Sequence, residues 1–174
     1  MNLSKRDLTI KYTLYCVILA AAALLQNVHG LWFQIGGARC FFVVPAVVLL
    51  SLGEDERVAA FMGLFAGFLW DCVSSAHMGF NGILLMLLCY IAATIVNFLL
   101  RNTFWVAVVS AIICTFIYCI FYWLFIVLPH GGDGAVLSLF YFYLPSFFYT
   151  AAVGFVLGVA FSPLKKKLNK GIIE

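Results

Sequence analysis

The feature that most constrains this chain is its succession of long apolar runs, which short polar turns separate. Hydrophobic residues make up 66% of the chain and charged residues 10%, whereas soluble domains carry about 25% charged residues. An apolar helix of roughly 20 residues crosses a hydrocarbon layer about 30 Å thick. We therefore expect one integral membrane domain, an all-α bundle of six transmembrane helices, at approximately 12–28, 38–52, 58–73, 81–100, 104–128 and 135–161.

Two of these runs have alternative interpretations. The first follows a basic segment containing Lys5, Arg6 and Lys11, which is also typical of a signal peptide. We expect an uncleaved span, because the apolar stretch is longer than a usual signal core. The second run is short and contains Pro45, which predicts either a tilted or kinked crossing or a partly re-entrant one.

Prolines and an acidic turn mark the predicted boundaries of the later helices. Pro129 and Pro163 are expected to stop the fifth and sixth helices, and Pro145 is expected to kink the sixth. The acidic cluster Glu54, Asp55 and Glu56, with Arg57 beside it, is expected to fix the turn after the second run in water.

A stripe of small residues leads to a carboxylate in the third run. Gly63, Gly67 and Asp71 are spaced four residues apart, so they share one face of a helix. Small residues at this spacing allow a second helix to approach closely. Asp71 lies near the outer end of its span, where a carboxylate costs less than the ~2.5–3.5 kcal/mol estimated for mid-membrane. It is predicted to be either a hydrated helix end or a buried contact.

The surroundings of Asp71 suggest how its charge is compensated. A polar elbow containing Gly79 follows it, and Asn81 is a candidate N-cap for the next helix. A helix terminus, a partner protein or an ion pair with Arg39 are the alternatives, and we hypothesise that Asp71 fixes the elbow. A second pair of glycines at four-residue spacing, Gly154 and Gly158, lies in the sixth run. We call each such pair, where a helix can approach closely, a pair of glycine notches. The candidates for helix packing or partner binding are Gly63, Gly67, Asp71, Gly79, Gly154 and Gly158.

The distribution of basic residues predicts the orientation in the membrane. Six spans place the N-terminal segment, Arg57, Arg101 and the C-terminal tail on one side, which the positive-inside rule assigns to the cytoplasm. The tail is expected to anchor anionic lipid headgroups rather than nucleic acid. Its basic residues are Lys165, Lys166, Lys167 and Lys170.

Residues that would indicate catalysis or a cofactor are few. None of the six cysteines forms a CxxC pair, so they are interpreted as small hydrophobic residues. His29, His77 and His130 all fall in outer connections, but without metal-ligand spacing. An intramembrane aspartyl protease would need two facing aspartates, and only Asp71 lies near a span. We expect no enzyme, cofactor or metal site.

One pattern in the first half of the chain combines a proline, spaced glycines and a carboxylate. It consists of Pro45 with the apolar run after it, followed by Gly63, Gly67, Asp71, Gly79 and Tyr90. This pattern resembles the bacterial rod shape-determining protein MreD family. The likeness extends over nearly the whole chain in length and span order.

The resemblance implies a non-enzymatic scaffold subunit of the cell-elongation machinery in the inner membrane. Members of this family associate with the single-span protein MreC, and through it with MreB and with RodA and its transpeptidase, which makes peptidoglycan. The family also resembles in architecture the six-span substrate-binding subunits of energy-coupling-factor transporters. Assembly into a homo-oligomer is a further alternative.

A second function class stays open at this point. The alternative interpretation is the vitamin- or metal-binding subunit of a small-solute transporter, with outer loops closing over a pocket. The three histidines and the aromatic run Phe140–Tyr149 would line that pocket. Such a run is more often a lipid-facing surface and interfacial belt.

Overall fold

The computed structural model describes residues 5–27, 34–35, 38–74, 79–100, 103–130 and 135–170. Two long helices contain π-helical stretches, named π1 and π2. The helical elements are α1 (Lys5–Asn27), α2 (Val43–Ser51), α3 (Glu56–Ser74), α4 (Phe80–Phe98), α5 (Phe104–Tyr122), π1 (Trp123–Val127), α6 (Leu128–His130), α7 (Ala135–Ser138), π2 (Leu139–Tyr143) and α8 (Leu144–Lys170). A two-residue antiparallel pair, β1 (Gln34–Ile35) and β2 (Ala38–Arg39), precedes α2.

The short helix α2 lies at the centre of the bundle. All nine of its residues are buried, and it contacts α1, α3, α4, α5 and α8. Its sequence, VVPAVVLLS, has no charged residue, so it can be enclosed on every side without an unpaired charge. Pro45 lies in the first helical turn, where its missing N–H removes no intrahelical hydrogen bond.

The predicted helix at 38–52 begins later than expected. Ala38 and Arg39 are extended and pair with β1, and the helix starts at Val43. Side chains of α8 bind the extended backbone: the Arg39 N–H donates to Ser146 Oγ at 2.9 Å, and the Phe41 N–H donates to Thr150 Oγ1 at 3.0 Å. These hydroxyls satisfy N–H groups that would otherwise be buried without partners.

The length of this segment can be measured against α8, which runs beside it. Its start contacts Ser146, and at its end the carbonyls of Leu49 and Leu52 accept hydrogen bonds from Lys165. The helical rise from Ser146 to Lys165 is about 28 Å. The nine helical residues of α2 rise only about 14 Å, so the extended residues before α2 supply the rest.

Four helices of the described chain are long and apolar enough to cross a membrane. They are Lys5–Asn27, Phe80–Phe98, Phe104–Val127 and Val136–Asn169. The predicted class, a helical membrane bundle, is confirmed at this level. α2 and α3 do not meet this criterion of length and apolar character.

Prolines shape the last two long helices differently from the prediction. Pro129 and Pro163 do not stop their helices, which continue to His130 and Lys170. Each π stretch ends two residues before a proline, Pro129 or Pro145, and each closes with an i→i+5 bond, from Leu128 N to Trp123 O and from Leu144 N to Leu139 O. Because proline clashes with the carbonyl one turn before it, the wider π turn accommodates the ring.

Candidate functional site

The helices α3 and α4 form a hairpin whose backbones touch at the two glycines. A Cβ placed on Gly63 would lie 2.8 Å from the carbonyl carbon of Leu85, and one on Gly67 would lie 2.6 Å from the Cα of Gly82. Real Cβ atoms essentially never come this close to backbone. The groove on α3 is therefore filled by α4, the next helix of the same chain.

Asp71 lies at the end of this contact and holds the start of α4. Its carboxylate is 2% exposed. Oδ2 accepts from the backbone N–H groups of Gly79 at 3.0 Å and Gly82 at 3.1 Å, and Oδ1 accepts from Asn81 Nδ2 at 2.7 Å. The first N–H groups of a helix lack intrahelical partners and carry partial positive charge. Asp71 therefore caps α4 from the preceding helix.

The cap of α4 differs from the one predicted. Gly79, with φ of +93°, is the N-cap residue, and α4 begins at Phe80, so Asn81 lies inside the helix. Its side chain bridges two groups: it donates to Asp71 and accepts from the Tyr118 hydroxyl at 2.6 Å. We name Asp71, Gly79, Asn81, Gly82 and Tyr118 the elbow cluster. It joins α3, α4 and α5.

The proposed partner Arg39 lies elsewhere. Its side chain is exposed, whereas Asp71 is buried. Every described hydrogen-bond partner of Asp71 belongs to the elbow or to the first turn of α4. The structure therefore brings Gly63, Gly67, Asp71 and Gly79 together and leaves Arg39 outside this group.

Aromatic side chains occupy the interior beside the elbow cluster. The rings of Trp70 and Tyr118 stack with centroids 5.2 Å apart, and Phe41 contacts both at 5.9 and 5.8 Å. Tyr122 lies 5.9 Å from Tyr118, which extends the cluster towards π1. These rings therefore pack against one another beside the elbow cluster.

Several side chains of the aromatic run Phe140–Tyr149 are exposed. Phe140, Tyr141 and Phe148 are 60%, 77% and 64% exposed, whereas Tyr143 is buried at 7%. Exposed aromatic side chains on an apolar helix are typical of a lipid-facing surface.

A second polar cluster lies at the other end of α2. Lys11 and Glu54 form an ion pair at 2.7 Å, with each side chain 6% exposed. Lys11 Nζ also donates to Asn169 Oδ1 at 2.8 Å, and Asn97 Nδ2 donates to the Glu54 carbonyl at 2.8 Å. In the turn predicted to lie in water, Asp55 and Arg57 are exposed, but Glu54 is buried. Gly53, with φ of 84°, turns the chain so that Glu54 points into the bundle.

Lys165 belongs to the same end and does not lie free at the surface. Its Nζ donates to the carbonyls of Leu49, at 3.0 Å, and of Leu52. These are among the last carbonyls of α2, which lack intrahelical partners and carry partial negative charge. We name Lys11, Glu54, Asn97, Lys165 and Asn169 the basal cluster. Sequence reasoning missed it, because its members are far apart in the chain.

The remaining tail lysines differ from Lys165. Lys166 and Lys167 are exposed and are free to meet lipid headgroups, as predicted for all four. Lys170 is the last residue of α8, and its side chain lies outside the described residues. Within the described part, Lys166 and Lys167 thus stay candidates for the expected lipid anchor.

The second pair of notches is also filled from within. A Cβ on Gly154 would lie 3.2 Å from the Pro45 Cβ, and one on Gly158 would lie 2.9 Å from the Val108 Cγ2. Gly154 and Gly158 therefore let α8 pack against α2 and α5.

Comparison with known proteins was informative at the level of family. The family model described as rod shape-determining protein MreD matches residues 8–168. The chain belongs to this family. No curated protein and no solved structure matches it, so the likeness to the substrate-binding subunits of energy-coupling-factor transporters stays an expectation. The elbow cluster and most of the basal cluster lie inside the part that the MreD model covers; Asn169 falls just beyond it.

Two of the grooves on the described sides of this MreD-family bundle have a wall formed by α5. One, of about 350 Å³, lies between α4 and α5 and is apolar; its walls include Ile91, Ala92 and Val109. The other, of about 660 Å³, lies between the start of α5 and the end of α8 and has both polar and apolar walls. Both are surfaces left open after the glycine notches have been filled.

The described residues contain no group of three His, Cys, Asp or Glu side chains placed to hold a metal ion. His29 and His77 lie outside the described residues, as does the side chain of His130. The predicted metal alternative therefore rests on positions that the structure does not describe.

Proposed function

We propose that this chain is a non-enzymatic scaffold subunit of the bacterial rod complex in the inner membrane, supporting peptidoglycan synthesis and cell shape. The family match over residues 8–168 carries the proposal. The polar groups support it, because those of the two clusters serve packing: Asp71 holds the start of α4 and Lys165 holds the end of α2. These contacts favour a rigid binding surface over a reactive site.

We further propose six crossings with both termini in the cytoplasm. Four helices are long and apolar enough to cross, α3 has 19 residues, and the segment ending at Leu52 follows α8 for about 28 Å. An even number of crossings places Lys5, Arg57 and Lys166 on one side. That side is the cytoplasm by the positive-inside rule.

The partner that we propose is an MreC-like single-span protein, which connects this subunit indirectly to MreB, RodA and its transpeptidase. The glycine notches are filled by the chain's own helices, so the partner must bind elsewhere. The groove between α4 and α5 is apolar and open, and small residues, Ala92, Ser110 and Cys114, line it. Such residues let the backbone of an added membrane helix come close. We propose that the partner helix binds there.

Site-specific photo-crosslinking in cells tests this position. A photoreactive residue replacing Val109, which lines the groove and is 50% exposed, should form an adduct with the MreC-like protein. The control is Val156 on α8, which is 65% exposed and does not line that groove. Equal adducts at both sites, or an adduct at Val156 alone, would remove the assignment.

Depletion of the protein tests the wider role, because loss of a rod-complex subunit should turn rod-shaped cells round. The transporter alternative would be supported by a purified protein that tightly binds a vitamin or metal while retaining no single-span partner. The packed rings of Phe41, Trp70 and Tyr118 weigh against that outcome.

A further inference from the structure

The groove between α5 and α8 has the chemistry of a binding site for an anionic lipid. Its volume of about 660 Å³ lies within the roughly 300–1,000 Å³ of known small-molecule sites. One wall comes from the start of α5, at Thr103, Phe104 and Ala107, and the other from α8 between Gly158 and Asn169.

The polar side chains of this groove offer hydrogen-bond donors and positive charge. Lys166 is exposed and lines it. An ammonium group has three N–H donors, so Lys165 keeps one after bonding to Leu49 and Leu52. Asn169 accepts from Lys11 through Oδ1, which leaves its NH₂ group to donate. No carboxylate is among the described residues that line the groove.

The start of α5 adds to the same field. Thr103 is the N-cap residue of α5 and makes no side-chain cap hydrogen bond. The first N–H groups of a helix carry partial positive charge, and Thr103 and Phe104 at the start of α5 line the same groove as Lys165 and Lys166. The charge in this groove is therefore complementary to an anion.

The groove also has apolar side chains in its walls. Leu49, Phe104, Ala107 and Phe161 line it, and a Cβ on Gly158 would lie 3.6 Å from the Phe104 ring. A free phosphate ion would gain no favourable contact from these apolar side chains. A phospholipid would place its phosphate among the lysines and an acyl chain along these side chains.

We propose that the groove between α5 and α8 binds one anionic phospholipid of the lysine-rich leaflet. The proposal goes beyond a general attraction of the basic tail for headgroups, because it assigns one lipid to one cleft. It depends on the membrane location of the chain and is independent of its role in the rod complex.

Native mass spectrometry of the full-length protein in detergent tests the site, with phosphatidylglycerol as the probe and phosphatidylcholine as the neutral comparison. One phosphatidylglycerol should be retained in preference to phosphatidylcholine. Lys166→Glu should weaken that binding by roughly tenfold or more, since each lysine near an anionic surface contributes on the order of 1 kcal/mol and reversal counts twice. Ala107→Leu should also weaken phosphatidylglycerol binding, because the larger side chain narrows the groove at its apolar wall.

The matched control is Lys167→Glu, which makes the same charge change at the neighbouring exposed lysine outside the groove. It should change binding by less than about threefold, because it alters only the diffuse field. Equal losses for Lys166→Glu and Lys167→Glu would overturn the proposal in favour of unspecific attraction. Equal retention of the two lipids would also overturn it, as would displacement of phosphatidylglycerol by millimolar inorganic phosphate.

Discussion

Asp71 Oδ2 accepts a hydrogen bond from the backbone N–H of Gly82 at 3.1 Å, so a carboxylate near the end of one helix fixes the first turn of the next. The helices cross closely at Gly63 and Gly67 just before this point. The hairpin is thus fastened at its tip by charge and along its length by backbone contact. Asn81 also accepts a hydrogen bond from the Tyr118 hydroxyl. α5 is therefore joined to the same end of the hairpin.

We expect Asp71→Asn to destabilise the protein by on the order of 2 kcal/mol. The substitution removes the negative charge that faces two N–H donors and Asn81, and hydrogen bonds to charged groups are worth about 1.5–3 kcal/mol. Thermal unfolding in detergent measures the loss. The control Glu56→Gln removes a carboxylate from the first turn of α3 and should have a small effect. Equal melting temperatures for wild type and Asp71→Asn would contradict the role given to the elbow cluster.

Gly67→Ala is expected to cost more than Gly79→Ala. The first would force α3 and α4 apart, because the new Cβ meets the backbone of Asn81 and Gly82, and overpacking costs about 1–3 kcal/mol. At Gly79 the new Cβ meets nothing within 4 Å, and the cost comes from the positive φ, about 1–2 kcal/mol. Comparing the two unfolding midpoints checks the order. A reversed order would show that the helix contact is looser than described.

A double-mutant cycle should detect strong coupling between Lys11 and Glu54. Lys11→Met alone leaves a buried carboxylate without its cation, and breaking a buried pair in this way costs about 3–5 kcal/mol. Lys11→Met with Glu54→Gln should cost less than the sum of the two single changes. Unfolding of the four proteins gives the coupling energy, and Lys5→Met at an exposed lysine of the same helix serves as the control. Additive losses would mean that the pair contributes nothing as a pair.

Lys165→Met and Lys166→Met should separate the two kinds of tail lysine. Lys165 donates to two carbonyls at the end of α2, so its loss leaves buried acceptors unpaired at a cost of about 1–3 kcal/mol each. Lys166 is exposed, and its loss should change the unfolding midpoint little. If both substitutions lowered stability equally, the capping role of Lys165 would be wrong.

Sequence reasoning reached the hairpin because its signal is local. Gly63, Gly67 and Asp71 reveal their common face through helical spacing alone, and the polar elbow indicates where the chain turns. Spacing could not show which helix packs against these glycines, since a partner helix and α4 would both fit the same pattern. The observed contact with Leu85 resolves that ambiguity in favour of the chain itself.

The basal cluster was beyond reach for a different reason. Glu54 lies in an acidic turn and Lys165 in a basic tail, and local composition of this kind normally indicates solvent. Their burial depends on partners 43 and 116 positions away, Lys11 and Leu49. Similarly, nothing local showed that residues before Val43 would be extended, because the hydroxyls that bind them come from Ser146 and Thr150.

The bond between Lys11 and Asn169 has a consequence for biosynthesis, because it joins residues 158 positions apart. A ribosome delivers the first helix long before the last one, so the Lys11 cation has no amide partner until α8 has been made. The bundle therefore reaches its final arrangement only after α8 has been inserted. Premature termination before α8 should yield a species that quality-control proteases recognise and remove.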